Sequence, residues 1–200
     1  MAEKKGQRVA ESPLQLFGGA EFDLVNIFKE VHSDVYDLYL SFNDICYKSA
    51  QAAEKYLKGY LVENKADVRH GHNVELLWED AFNINNEFKK IEESCGLLNN
   101  YQAKVKYDFR VHIVKDDVVD VLKALKEIYE FEPMKKMREY FKENVQEYKK
   151  FPDINMDTII TIVNDYGYID RNSIEKLSGA IVSEKIDDDT KNIEEQIKHI

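Results

Sequence analysis

The residues best placed by type and spacing to do chemistry fall in two short stretches. The first is Lys104-Val-Lys106-Tyr107-Asp-Phe-Arg110-Val-His112, where three cations, two aromatic rings and an imidazole fall within nine residues. Cations hold phosphate and aromatic rings stack on bases, so the run suits a nucleotide or nucleic-acid surface. It suits equally a solvated helix end, where Lys and Arg complement the negative end of the helix dipole. The second stretch is Arg69-His70-Gly71-His72-Asn73. Two imidazoles one residue apart could share a proton or a metal ion. The plainer reading is a helix entrance in which His72 and Asn73 satisfy free backbone amides, because two His without an obvious carboxylate partner make a poor metal site.

Other chemistries find little support. Tyrosine occurs twelve times, and Tyr47, Tyr56 and Tyr60 are expected to pack with their hydroxyls at the wet edge. Cys46 and Cys95 have no zinc-ligand spacing and read as buried thiols in a reducing compartment. Phosphate-loop, dinucleotide-binding and nucleophile-elbow motifs are absent from the sequence. No cofactor and no metal site is implied. A net charge of -10 argues against a protein that coats nucleic acid without specificity. Arginine, the usual bidentate phosphate ligand, occurs only at Arg8, Arg69, Arg110, Arg138 and Arg171. No apolar run approaches the roughly 18 residues of a membrane span, and the N-terminus lacks a signal-peptide core. A cytoplasmic protein with no membrane association is expected.

The elements that must position these residues read as helices. Three prolines and eight glycines in 200 residues leave long stretches unbroken. Residues 1–19 read as a flexible leader ending in Gly18-Gly19. A first helix is expected from near Ala20, with Leu24, Ile27, Phe28, Val31, Val35, Leu38, Tyr39 and Phe42 as its stripe. A second carries Ile45, Ser49, Ala52, Ala53, Tyr56, Leu57, Tyr60 and Leu61, its small residues allowing a neighbour to approach closely. Asn73 is a plausible N-cap for a third helix. A fourth pattern runs from Phe88 to Val105 across Gly96, and a fifth helix opens at Asp116-Asp117. Pro133 starts or kinks the next segment. The stretch 158–164 fits a short strand and a buried helical turn equally well. A further helix is expected over 172–184, and helix again from Lys191. The fold class is therefore all-α, an up-and-down bundle of four to five helices over 20–132, with residues 133–200 expected as a mostly helical extension or a small separate subdomain.

The second helix also carries a motif. Gln51-Ala52-Ala53-Glu54-Lys55, with Leu57 and Lys58, followed by His72-Asn73-Val74 with Leu77 and then by Lys106-Tyr107-Asp108, resembles HEPN domains over residues 20–132. The resemblance implies a four- or five-helix bundle, often a homodimer. It also implies association with nucleotides or RNA, or with small nucleotidyltransferase domains as protein partners. Ribonuclease members carry an Arg followed four to six residues later by a His. Here Arg69 lies next to His70 and three residues before His72, and Arg110 lies two before His112. Residues two apart on a helix face different ways, whereas in an extended loop they share a side.

The expected function is a non-catalytic HEPN-like binding module for a nucleotide, an RNA or a nucleotidyltransferase-type partner. The alternative is a divergent ribonuclease using Arg110 and His112, or His72. Candidate ligand-binding residues are Lys104, Lys106, Tyr107, Arg110, His112, Arg69, His70 and His72. DNA is an unfavoured partner, because in residues 153–200 acidic residues outnumber basic ones eleven to five.

Overall fold

The computed structural model describes residues 12–32, 41–107 and 113–165, with residues 103–107 described as backbone helix only. The described residues form seven α-helices and no strand: α1 Pro13–Val31, α2 Phe42–Glu63, α3 Val74–Ile84, α4 Glu92–Tyr107, α5 Lys115–Glu130, α6 Glu132–Asn144 and α7 Met156–Asp165. Short 3-10 turns cover Asn86–Ile91 and Tyr148–Lys150. The all-α expectation holds.

Helix α2 is the hub, packing against α1, α3, α4, α5 and α6. Its sequence explains that position. Ser49, Ala50, Ala52, Ala53 and Gly59 are all buried, so neighbouring backbones come close, while Tyr56, Leu57 and Leu61 fill the spaces between them. A Cβ added at Gly59 would stand 2.5 Å from Cδ2 of Phe17 on α1. That ring is fully buried and makes edge contacts with Tyr56 and Phe141, so no larger residue fits at 59 without displacing it.

Several element boundaries differ from those expected. Helix α1 begins at Pro13 rather than near Ala20. Ser12 caps it by accepting from the Gln15 amide at 3.2 Å, and the Gln15 side chain returns the contact to the Ser12 amide at 2.8 Å. Gly18 and Gly19 therefore sit inside the helix, not at the end of a leader. The helix ends at Val31, and Phe42, expected to close it, opens α2 as a buried residue. Val35, Leu38 and Tyr39 lie outside the described residues. The stretch 158–164 is helical: Ile159, Ile160 and Val163 bury one side of α7, which packs on α5 and α1.

The bundle does not stop at residue 132. Helix α6 packs on α5 and α2, and α7 packs on α5 and α1, so the packed helices run on to Asp165. The helices expected at 172–184 and from Lys191 lie outside the described residues. A buried polar cluster ties the later helices to the first. Glu21 on α1 is 1% exposed and accepts from Tyr56 Oη at 3.0 Å and Tyr148 Oη at 2.8 Å. Arg138 on α6 approaches Glu21 to 4.0 Å, donates to the Tyr129 carbonyl at 2.6 Å and lies 3.4 Å over the Tyr129 ring. Burial raises the Glu21 carboxyl above its ordinary range, and the Arg138 charge opposes that shift. Tyr56 is thus not at a wet edge. It is fully buried, with its hydroxyl committed to Glu21.

Candidate functional site

The carboxylate of Glu54 on α2 has only 5% of its side chain exposed, and four side chains converge on it. Lys58, one turn along the same helix, donates from Nζ at 2.6 Å. Gln51 donates at 3.3 Å and Gln102 of α4 at 2.5 Å. His72, in the loop before α3, places Nδ1 3.1 Å from both carboxylate oxygens. A buried carboxylate is tolerable when it is paired and hydrogen-bonded in this way.

The same contacts hold the loop. Lys58 Nζ also donates to the Gly71 carbonyl at 2.8 Å. Gly71 has φ of +121°, a backbone region open to glycine and costly for other residues. Asn73 caps α3 by accepting from the Leu76 amide at 2.8 Å, and Asn99 of α4 accepts from the Val74 amide at 3.0 Å. The first turn of α3 is thereby fastened to α4, and His72 is fastened to α2.

Of the expected helix-entrance roles, Asn73 fills its own and His72 does not. The imidazole caps no amide; its partner is the carboxylate that looked absent, supplied from eighteen residues earlier in the chain. Glu54 accepts only, so Nδ1 carries a proton and Nε2 is the ring nitrogen left for other partners. The His72 side chain is 66% exposed, so that nitrogen can reach a ligand.

The other expected site residues separate. Arg69 is exposed and donates to Asp80 of α3 at 2.8 Å. His70 is exposed one residue later. Lys104, Lys106 and Tyr107 lie on the last turns of α4, which begin two residues beyond Gln102. Arg110 and His112 lie outside the described residues. The structure thus brings His72 to the base of the helix that carries Lys104, Lys106 and Tyr107. Sequence reasoning missed Glu54, Gln102 and Asn99 as members of the site. The Glu54–Lys58 spacing of four is a visible ion-pair signal, but nothing local points to Gln102 or Asn99.

Among the described residues, no group of three or more His, Cys, Asp or Glu is placed to hold a metal ion. Both cysteines are buried and free. Desolvation pushes the Cys46 thiol up to about 12 and raises Cys95 as well, so neither is a ready nucleophile.

The HEPN domain family model matches residues 17–137. The chain belongs to the HEPN family. The match contains Gln51, Glu54, Lys58, His72 and Gln102, so the whole Glu54 cluster lies within the HEPN region. It ends one residue before Arg138, so Arg138 and Tyr148, which complete the contacts of Glu21, come from outside it. No curated protein and no solved structure matches this HEPN chain significantly. No helix among the described residues is long and apolar enough to cross a membrane.

Proposed function

We propose that this chain is a non-catalytic HEPN binding module that engages a nucleotide or RNA on the surface formed by the His72 loop and the C-terminal turns of α4. The observation that carries the reading is the convergence of the family motif on Glu54. Gln51, Glu54, Lys58 and His72 use their polar atoms to build a fixed, half-open cluster beside the helix that leads into the basic and aromatic run. The described arginines argue against a cleavage site. Arg69 is engaged by Asp80, and Arg138 is buried against Tyr129 and Glu21. Both guanidinium groups are thus committed within the protein, whereas cleavage needs a cation free to neutralise a phosphate while an imidazole moves a proton. The module pairs with a second copy of itself or with a nucleotidyltransferase-type protein, as its family implies.

The test is a pull-down of the tagged chain from its native host, with copurifying nucleic acid and protein identified together. Recovered nucleotide or RNA supports the reading. Recovery of a nucleotidyltransferase alone moves the function to the protein partner. The alternative, a divergent ribonuclease, predicts RNA cleavage that disappears when Arg110 and His112 are both replaced by Ala.

A further inference from the structure

Three groups around the His72 loop are already spent. The Leu76 and Val74 amides at the start of α3 are taken by Asn73 and Asn99, so this helix N-terminus does not offer its usual anion seat. Lys58 is divided between Glu54 and the Gly71 carbonyl. Gln102 has its amide nitrogen on Glu54, and its unpartnered Oε1 is buried away from solvent. The imidazole of His72 differs from all of these. One nitrogen is anchored, and two thirds of the side chain faces solvent.

The anchoring has a chemical consequence. A carboxylate cannot donate, so Nδ1–H is required in either charge state of the ring. With Nδ1 committed to Glu54, the neutral ring presents its Nε2 lone pair away from the carboxylate. Nδ1 is shared between the two oxygens of the same carboxylate at 3.1 Å each. Carboxylate–imidazole pairs elsewhere use this arrangement to set the tautomer and aim the outer nitrogen.

We infer that His72 Nε2 is the atom through which this surface accepts a hydrogen bond from a ribose hydroxyl, with Glu54 as its positioning residue. The inference rests on the nucleotide- or RNA-binding reading above and names the contact within it. An outward lone pair selects a hydroxyl donor over a phosphate oxygen, which can only accept. Ribose supplies that donor in both RNA and a free ribonucleotide, while DNA lacks the 2′-hydroxyl.

The test uses the full chain labelled with nitrogen-15, reading the ring nitrogens of His72 by NMR. The probes are AMP, a short RNA and DNA of the same sequence. His72 is expected in the Nδ1–H form, with the Nε2 resonance moving on addition of RNA or AMP and not of DNA. Whichever of RNA and AMP gives the larger shift identifies the source of the ribose. His72→Ala, whose melting transition is recorded alongside, is expected to weaken RNA binding about tenfold. Glu54→Gln keeps an acceptor and the side-chain shape but should shift the His72 ring toward the Nε2–H form and weaken RNA binding with it. A structural role for Glu54 alone would not move that tautomer balance. RNA binding with unmoved His72 resonances overturns this contact and leaves the binding module standing. Equal responses to RNA and DNA overturn the hydroxyl assignment. No response to AMP or RNA by any measure overturns both. RNA cleavage lost in His72→Ala would support the contact and overturn the non-catalytic reading.

Discussion

Replacing Glu54 by Ala would strip the acceptor from four donors at once. Two of those donors, on Lys58 and Gln102, are largely buried. A buried donor left without a partner keeps its desolvation cost: the Gln102 amide would lose its acceptor, and the Lys58 ammonium would keep only the Gly71 carbonyl. Glu54→Ala is therefore expected to lower unfolding free energy by about 2–4 kcal/mol, measured by urea denaturation. Glu54→Gln should cost markedly less, since it retains one acceptor oxygen. The residues of this cluster were each visible in the sequence, but their grouping was not. Lys58 follows Glu54 by one helical turn and could be paired on spacing alone. His72 and Gln102 are eighteen and forty-eight residues away, distances over which no local pattern reports a contact.

At the scale of elements, two junctions can be tested. At Gly59 the Phe17 ring of α1 lies against the α2 backbone, so Gly59→Ala forces its methyl onto that buried ring. The gain in helix propensity is under 1 kcal/mol, and overpacking costs about 1–3 kcal/mol. The variant is thus expected to melt at lower temperature than the parent, with the loss reduced when Phe17 is shortened to Leu in the same chain. The second junction joins the end of α1 to the start of α2. There the carboxylates of Glu30 and Asp44 both bind Lys48. Burial, with Asp44 close by, raises Glu30 from 4.5 to about 7. In the unfolded chain Glu30 ionises near 4.5, while in the folded chain it keeps its proton until about 7. Its contribution to stability is complete below pH 4.5 and is lost as pH rises to about 7. Glu30→Gln should flatten that part of the stability curve, measured by denaturant unfolding at stepped pH; an unchanged slope would refute the assignment.

The whole molecule extends beyond the segment that marks its family. Glu21 belongs to the HEPN-matched region, but its charge is opposed by Arg138 and its second tyrosine is Tyr148, both beyond residue 137. Arg138→Met removes the cation beside a buried carboxylate and the donor to the Tyr129 carbonyl. A loss of about 3 kcal/mol is expected, read from chemical denaturation. Adding Glu21→Gln to Arg138→Met should recover part of that loss, because the amide carries no charge to bury. Full additivity of the two substitutions would instead mean that the residues act independently.

By itself the sequence determined the helical class, the stripes of α2 and α5, the Asn73 cap, the burial of both thiols and the HEPN family. The helices and the cap follow from local spacing, a 3.6-residue period and a cap next to its helix, while the family rests on the resemblance of short stretches to a known pattern. It misjudged the first helix, because two glycines looked like a break while the Ser12–Gln15 cap and the packing on α2 overrode their propensity. It left 158–164 open between strand and helix, because an apolar run so short has no period of its own. Tertiary structure alone decided that Tyr56 is buried, that residues 133–165 complete the bundle, and that His72 has a carboxylate partner. Each of those depends on two chain segments meeting across the core, where burial gives a single hydrogen bond or charge a weight that it does not have in water.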